Sequence, residues 1–313
     1  MTLIGLDVGG TTMKAALVGE GALVREGARV GEGARADGDL QVLASESRPT
    51  DRADPVGGVL DFAAHLAARA ASLGSPARAA GIALLGIVDE ATGTAVHSAN
   101  VGWRDVPILR LARERLGIPV AIGHDVRTGG LAEAVLGAGR GAGDFVFVAV
   151  GTGIAAALIL NGAPYPGTVG WSGEIGHVVV RPGGEPCACG NRGCLETYAS
   201  AAAIARRHGE GVPAEEVVAR ARRGEEKAGR VWSEALDCLA DGLAATTLLL
   251  DPGLVVMGGG LARAGDALLG PLESRLTARL KFRDPPRVLR TQLDDQAAVR
   301  GATILARRLL DDA

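Results

Sequence analysis

Two segments of the chain repeat one short pattern, in which an apolar run leads into a glycine–threonine turn and then a run of small apolar residues. They are VGGTTMKAALV at residues 8–18 and VGTGIAAALIL at residues 150–160. Apolar runs that flank such a turn are typical of strands joined tightly in a sheet. Because helix-forming and strand-forming segments follow each copy, the repeat predicts an α/β protein with two related halves.

Composition limits both the size and the environment of the fold. The chain has 313 residues, of which 47% are hydrophobic and 22% charged, as in globular proteins with room for two domains. A net charge of −3 predicts neither a nucleic-acid nor an anionic-membrane partner. Apolar runs stay below the ~18 residues needed to cross a bilayer, and the N-terminus lacks a signal-peptide pattern. We therefore expect a cytoplasmic protein.

Hydrophobic patterning predicts most elements of secondary structure. Strands are expected at residues 2–8, 15–18, 22–25, 41–45, 79–84, 120–123, 145–150, 155–160 and 254–257. Helices are expected at residues 55–72, 106–116, 124–134, within 195–250 and at 295–310, and residues 26–38 are expected to form an exposed loop. Asn161-Gly162 indicates a two-residue hairpin turn. The last helix is predicted to pack Ala298, Ala302, Leu305 and Leu309 on a core.

Three glycine turns follow predicted strands. They are Asp7-Val8-Gly9-Gly10-Thr11-Thr12-Met13-Lys14, Gly151-Thr152-Gly153 and Gly258-Gly259-Gly260. Glycine lets backbone N–H groups point at phosphate oxygens, and threonine hydroxyls add donors. Asp7 is suited to hold Mg²⁺, and Lys14 to offset phosphate charge. A single turn of this kind has a purely structural explanation, but three at strand ends predict contacts with ATP.

A dinucleotide site is a competing interpretation of the same glycines. GTGIAA at residues 151–156 and GAGRGA at residues 137–142 both match the pattern G-x-G-x-x-A. That pattern has to open a helix after a strand. A predicted strand follows the first match, and the second follows a helix and precedes a strand. We therefore predict that neither segment binds a dinucleotide.

One histidine and three cysteines are closely spaced: His177, Cys187, Cys189 and Cys194. Four protein ligands of this kind are typical of a structural Zn²⁺ site. Ordinary buried cysteines, or a disulfide with a spare thiol, are the alternatives. The short glycine-rich spacing and the expected cytoplasmic location favour the metal. Cys238 lies in a predicted helix and is expected to be a core residue.

On these residues the chain resembles the sugar kinases of the ROK family (repressors, open reading frames, kinases) over essentially its whole length. The resemblance rests on Asp7–Lys14, Asn100-Val-Gly-Trp103, Asp125, Gly151–Gly153, Gly173-Glu174-Ile-Gly-His177 and the run from Cys187 to Glu196. It implies two ribonuclease-H-like (actin-like ATPase) domains around an active-site cleft. We expect a smaller domain at residues 1–118 plus 296–313 and a larger one with the zinc site at 119–295. The family is commonly dimeric or tetrameric, which implies a homodimer or homotetramer.

The resemblance also implies ATP- and Mg²⁺-dependent phosphorylation of D-glucose at its 6-hydroxyl, with Asp125 as general base. The implied sugar-binding residues are Gly86, Asn100, His124, Asp125, Glu174, His177 and Glu196. His177 would use one ring nitrogen for zinc and the other for the sugar. Two positions depart from the family pattern: His124 replaces an asparagine, and Leu85-Gly86 replaces proline-glycine.

Each of these residues also has a structural interpretation. From its position alone, Asp125 would be the N-cap of a helix, Glu196 a favourable charge in a first helical turn, and Asn100 a loop cap.

Other functions fit part of the pattern. Another hexose, such as N-acetylglucosamine, N-acetylmannosamine or fructose, would use the same mechanism. A sugar-responsive transcription regulator would carry a winged-helix domain before the first strand, which is expected to begin at Thr2. A zinc-stabilised interaction module would leave Asp125 and the glycine turns without a role.

Overall fold

The computed structural model describes residues 1–19 and 41–311. The chain divides into two compact units: Met1–Gly137 with Pro166–Trp171 and Gln296–Ala313, and Ala138–Tyr165 with Ser172–Asp295. The predicted strand at residues 22–25 and the predicted loop at residues 26–38 lie outside the described residues. The expected domain boundary at residue 118 precedes a strand that pairs within the first unit.

The first unit contains a five-stranded sheet and a smaller three-stranded sheet. Its elements up to residue 137 are β1 (Thr2–Val8), β2 (Thr12–Gly19), β3 (Gln41–Pro49), α1 (Pro55–Ser72), β4 (Ala77–Leu84), β5 (Ile87–Asp89), β6 (Thr94–His97), β7 (Arg104–Val106), α2 (Ile108–Leu116), β8 (Val120–His124) and α3 (Asp125–Leu136). The large sheet has the order β3-β2-β1-β4-β8. Strands β1, β4 and β8 are parallel, and β2 is antiparallel to both of its neighbours.

The second unit repeats this arrangement. Its elements are β9 (Phe145–Val150), β10 (Ile154–Leu160), β11 (Ala163–Pro164), α4 (Glu196–Ala199), α5 (Ala201–His208), α6 (Ala214–Arg222), α7 (Glu226–Leu250), β12 (Leu254–Gly258), α8 (Asp266–Arg279) and β13 (Arg287–Arg290). The sheet order is β11-β10-β9-β12-β13, with β9, β12 and β13 parallel and β10 antiparallel. The two copies of the sequence repeat form equivalent hairpins, β1–β2 and β9–β10, which confirms the prediction of two related halves.

Several local predictions are confirmed. Asn161 and Gly162 both have positive φ in the turn from β10 to β11, as a tight hairpin requires. The first match to the dinucleotide pattern continues into β10 and not into a helix. Cys238 is fully buried in α7. Within residues 1–19 and 41–311, no helix has the length and apolar character needed to cross a membrane.

Two helix predictions need correction. Helix α2 begins at Ile108 and not at residue 106, because residues 104–106 pair in β7 and Pro107 occupies the N-cap. The last helix, α9 (Ala297–Asp311), begins at Ala297 and not at residue 295, because Asp294–Gln296 form a 3₁₀ turn before it. It belongs to the first unit.

The predicted apolar stripe of α9 is also only partly correct. Ala302 is buried, but Ala298, Leu305 and Leu309 are half-buried. The fully covered positions include Val299 and Thr303. Helix α9 packs against both the sheet and α3, so a wider face is buried than one stripe allows.

Gly81→Ala should destabilise the first unit. A methyl group at this position of β4 would overlap the carbonyl oxygen of Ala302 in α9. Overpacking of this kind costs about 1–3 kcal/mol, and we expect a loss of that size in the free energy of unfolding measured with urea. Gly229→Ala on α7 is the control, because nothing lies within 4 Å of the added methyl. Equal stability of the two variants would contradict this packing.

Candidate functional site

Three parallel strands of the first unit end side by side. Val8 of β1 pairs with Leu84 of β4, and Leu84 pairs with His124 of β8. The segments that follow these strands therefore leave the same edge of the sheet. They are the first glycine turn, Leu85-Gly86 and Asp125. In open α/β sheets, ligands bind at this carboxyl edge, so the sheet gathers predicted phosphate, sugar and catalytic residues.

The first glycine turn is fixed by residues that follow β3. The carbonyl oxygen of Gly9 accepts a hydrogen bond from the Thr50 hydroxyl at 2.6 Å, and that of Thr11 accepts from the Thr50 backbone N–H at 3.0 Å. Arg52 donates to the Gly10 carbonyl at 3.2 Å. Sequence analysis missed Thr50 and Arg52, since only the pairing of β2 with β3 brings them to the turn.

Asp7 and Lys14 are direct cross-strand partners in β1 and β2. Residues paired in this way point to the same face of a sheet. A carboxylate and an ammonium group consequently lie beside the turn, where the first suits Mg²⁺ and the second suits a phosphate oxygen. The structure brings these two predicted residues together.

Asn100 lies against the first glycine turn. A methyl group at Gly10 would be 3.3 Å from the Asn100 Cβ and 3.5 Å from Leu85 Cδ1. Asn100 is exposed, in the loop between β6 and β7, and Gly86 directly follows Leu85. Two predicted sugar-binding positions are thus neighbours of the predicted phosphate turn within one unit.

Asp125 is the first residue of α3, and His124 is its N-cap. The Nδ1 atom of His124 accepts from the Arg127 backbone N–H at 3.4 Å, so the interpretation of Asp125 as the cap is wrong. The Asp125 carboxylate accepts from Val126 N–H at 2.7 Å and lies 3.4 Å from His124 Nε2. The side chain of Asp125 is 29% exposed and that of His124 only 7%. A partly exposed carboxylate therefore lies at the sheet edge beside a buried imidazole.

The predicted zinc ligands converge in the second unit. One nitrogen or sulfur atom from each of His177, Cys187, Cys189 and Cys194 lies within 4.8 Å of all the others. Cys187 Sγ is 3.6 Å from His177 Nδ1, and Cys189 Sγ is 3.7 Å from Cys194 Sγ. Tetrahedral zinc with ordinary bond lengths separates two sulfurs by about 3.8 Å, and a sulfur from a nitrogen by about 3.6 Å. The donor set and its spacing fit a zinc ion, and all four cysteines of the chain are free thiols.

The thiols differ in their electrostatic surroundings. Burial, together with the neighbouring thiols, raises the pKa of Cys194 to about 12. A hydrogen bond from the Asn191 backbone lowers the pKa of the more exposed Cys189. A divalent cation stabilises the thiolate form of all its ligands. Because burial raises the pKa of Cys194, a bound cation would favour its ionisation near neutral pH.

Glu174 and His177 lie on one turn that is attached to β10. Glu174 Oε2 is 3.9 Å from His177 Nε2, so the ring directs Nδ1 to the cysteines and Nε2 to the carboxylate. The backbone of Ala156 in β10 donates to the carbonyl of Gly173 at 2.7 Å. Any side chain at Gly173 would overlap the Ala156 carbonyl oxygen, and its φ is +94°. The glycine before Glu174 is therefore required by this close approach.

Glu196 is bonded to the second glycine turn. Its Oε2 atom accepts from the backbone N–H of Ile154 at 2.9 Å, directly after Gly153. Glu196 does begin α4, but that helix has only four residues. The Glu196 carboxylate binds the backbone of the β9–β10 turn, so its role is not limited to placing a negative charge in the first turn of α4. Predicted sugar and ATP positions are again adjacent, here within the second unit.

The third glycine turn borders a cavity of about 220 Å³. Gly260 and Leu261 form one wall and Ala214, Val218 and other residues of α6 form another. Arg222 and Arg263 also line it. The lining combines apolar side chains with a few charged groups, as small-molecule pockets do. Sequence analysis predicted Gly258, Gly259 and Gly260 but missed the contribution of α6.

Comparison with known proteins places these features in a family. The sequence model of the ROK family matches residues 3–309. A glucokinase of Thermotoga maritima is 30% identical in an alignment 327 positions long, which covers 96% of each chain. An N-acetylglucosamine repressor of Escherichia coli O157:H7 is 32% identical in an alignment 245 positions long, which covers 74% of this chain and 60% of the repressor.

A solved structure is similar over nearly the full length. It is a ROK family glucokinase from Streptomyces griseus in complex with glucose and AMPPNP, with a TM-score of 0.79 and 28% identity. The match covers 98% of this chain and 100% of the other. The predicted class, α/β with two ribonuclease-H-like domains, is confirmed by this match and by the two sheet orders. Since the family model matches almost all of its length, the chain belongs to the ROK family.

Proposed function

We propose that this protein transfers the γ-phosphoryl group of ATP to the 6-hydroxyl of D-glucose. The observation that carries the proposal is the aligned end of β1, β4 and β8, where the first glycine turn, Gly86 and Asp125 leave one sheet edge. Phosphoryl transfer depends mainly on positioning and on charge stabilisation. Similarity to glucokinases over the whole chain supports glucose as the acceptor.

In this mechanism Asp125 accepts the proton of the sugar hydroxyl while that oxygen attacks the γ-phosphorus. A general base has to be ionised and within hydrogen-bond reach of its proton. Because His124 Nδ1 accepts from Arg127 N–H, the neutral ring carries its proton on Nε2, which faces Asp125. His124 thereby helps to orient the carboxylate assigned as the base, and it does so at a position that departs from the family pattern.

The phosphate groups are assigned to the glycine turns. Gly9, Gly10, Thr11 and Thr12 supply backbone and hydroxyl donors, and Lys14 offsets charge. Asp7 would hold Mg²⁺, which when bound neutralises phosphate oxygens during transfer. In the second unit we assign the same work to Gly151, Thr152 and Gly153. The cavity beside Gly258, Gly259 and Gly260 suits the adenosine part of ATP, which favours ATP over polyphosphate.

The sugar hydroxyls are assigned to the residues that the family resemblance implies, namely Gly86, Asn100, His124, Asp125, Glu174, His177 and Glu196. Carboxylates and amides are rigid acceptors and donors for hydroxyl groups. Zinc held by His177, Cys187, Cys189 and Cys194 would cross-link the turn that carries Glu174 to the segment before Glu196. Its role in this proposal is structural, because four protein ligands complete the tetrahedron. We further propose a cytoplasmic homodimer or homotetramer.

A sugar-responsive regulator is the second candidate, favoured by the 32% identity to an N-acetylglucosamine repressor. Such a protein binds its sugar without turnover. Another hexose kinase would instead keep the mechanism and change only the acceptor. The rate of ATP consumption with each sugar separates the three functions.

Asp125→Ala should lower kcat for glucose by about 10²–10⁴, which is the usual contribution of a general base. The fold should be intact, since the cap of α3 comes from His124. The measurement is glucose-dependent ADP formation at saturating substrates. Asp61→Ala, which removes an exposed carboxylate paired with Arg115, is the matched control and should keep normal turnover. Normal turnover by Asp125→Ala would refute the assignment of the base.

Cys189→Ser should remove the bound zinc and lower the melting temperature, because metal binding contributes directly to folding. Metal analysis of the wild type should find about one zinc per chain. Cys238→Ala removes a cysteine outside the cluster and should retain the metal. A wild-type protein whose stability is unchanged after complete removal of zinc would show that the cluster is not a structural metal site.

A further inference from the structure

We propose that Arg127 is a positioning residue for Asp125 and that it acts through Glu90. This inference rests on the proposed function, in which Asp125 is the base. Arg127 is a residue of α3 with 3% of its side chain exposed. A guanidinium group cannot lose its charge in a protein, so its burial has to be compensated by partners. The side chain of Arg127 contacts Glu90 and Val88, which precede Asp125 in the sequence, and Gly170, which follows it.

The first partner is a single carboxylate oxygen that also holds the backbone of β8. Glu90 Oε1 accepts from Arg127 Nε at 3.1 Å and lies 3.0 Å from an Arg127 terminal nitrogen. The same oxygen accepts from the His124 backbone N–H at 2.9 Å. The residue before Asp125 and the residue two positions after it are thus tied to one oxygen atom.

The backbone of Arg127 makes a second connection to His124. Its N–H donates to His124 Nδ1, which caps α3. Asp125 therefore lies within a closed loop of hydrogen bonds that runs from His124 through Glu90 to Arg127 and back. Displacement of Asp125 would require at least one of these bonds to lengthen.

The remaining donors of Arg127 connect two further segments of the first unit. A terminal nitrogen donates to the carbonyl of Gly170 at 2.9 Å, and the other donates to that of Val88 at 3.4 Å. Gly170 belongs to Pro166–Trp171, the short segment that joins the first unit between two stretches of the second. A methyl group at Gly170 would lie 2.6 Å from the Val88 carbonyl oxygen, so this segment is tightly seated.

This set of acceptors requires arginine. The planar fork of a guanidinium presents donors in fixed, diverging directions, whereas lysine offers one compact charge. Lysine at position 127 would keep the charge beside Glu90 but could not reach Glu90, Val88 and Gly170 together. A misplacement of about 1 Å at a catalytic group costs up to about 10²-fold in rate. Arg127→Lys should therefore lower kcat by about 10–100-fold and leave the KM for glucose within about threefold.

The test is a double-mutant cycle of wild type, R127K, D125A and D125A/R127K. If Arg127 acts through Asp125, R127K should reduce the residual kcat of D125A by less than about threefold. Arg113→Lys is the matched control: Arg113 donates to the Val120 carbonyl at the other end of β8 and should tolerate the change. Melting temperatures of all variants establish that the fold is retained.

Several outcomes would overturn the proposal. A wild-type kcat in R127K would do so. R127K lowering kcat by the same factor in the wild-type and D125A backgrounds would also do so, because that result indicates a general structural role. If R127K does not fold, Glu90→Gln replaces it in the cycle. The amide keeps an oxygen for the His124 N–H but loses the charge that holds Arg127. Glu90→Gln should lower kcat when Asp125 is present and have little effect on kcat in D125A. An equal loss of kcat in both backgrounds refutes the inference. Normal turnover by D125A would instead refute the assigned base.

Discussion

The registration of three parallel strands is the constraint on which the first unit depends. Val8, Leu84 and His124 form one row across the sheet, so residues far apart in sequence leave it at a common edge. The row places a glycine turn, a sugar-loop position and a carboxylate within a few strand spacings, each about 4.8 Å. A shift of β8 by one residue would turn the strand over and send every side chain to the opposite face. Chemistry at this edge thus relies on the packing of the sheet beneath it.

In the second unit, the backbone of β10 has a corresponding role. Its amides bind the Gly173 carbonyl and the Glu196 carboxylate. The chain from Val178 to Cys194 makes only isolated bridges within this part of the structure. Such a segment has little regular hydrogen bonding to fix its conformation. A metal held by His177 and the three cysteines would restrain the segment, as hydrogen bonds restrain a strand or a helix.

Sequence patterns predicted features that depend on local chemistry. The hairpins, the bounds of α1 and the convergence of His177 with three cysteines all follow from turn residues, capping or ligand spacing, and the structure contains them. Features that depend on distant segments were not predictable in this way. Arg127 finds Glu90 only because β5 lies beside β8, and Thr50 finds the glycine turn only because β3 pairs with β2. The cap of α3 by His124 could not be foreseen either, since aspartate is the commoner cap.

Coupled measurement of ATP consumption with a panel of sugars tests the central claim most directly. The panel should contain glucose, N-acetylglucosamine, N-acetylmannosamine, mannose and fructose, with zinc-replete protein and Mg²⁺ present. Selective turnover of glucose, with the product phosphorylated at the 6-hydroxyl, is the predicted result. Binding of a sugar by folded protein without turnover of any member of the panel would contradict the account and favour a regulator.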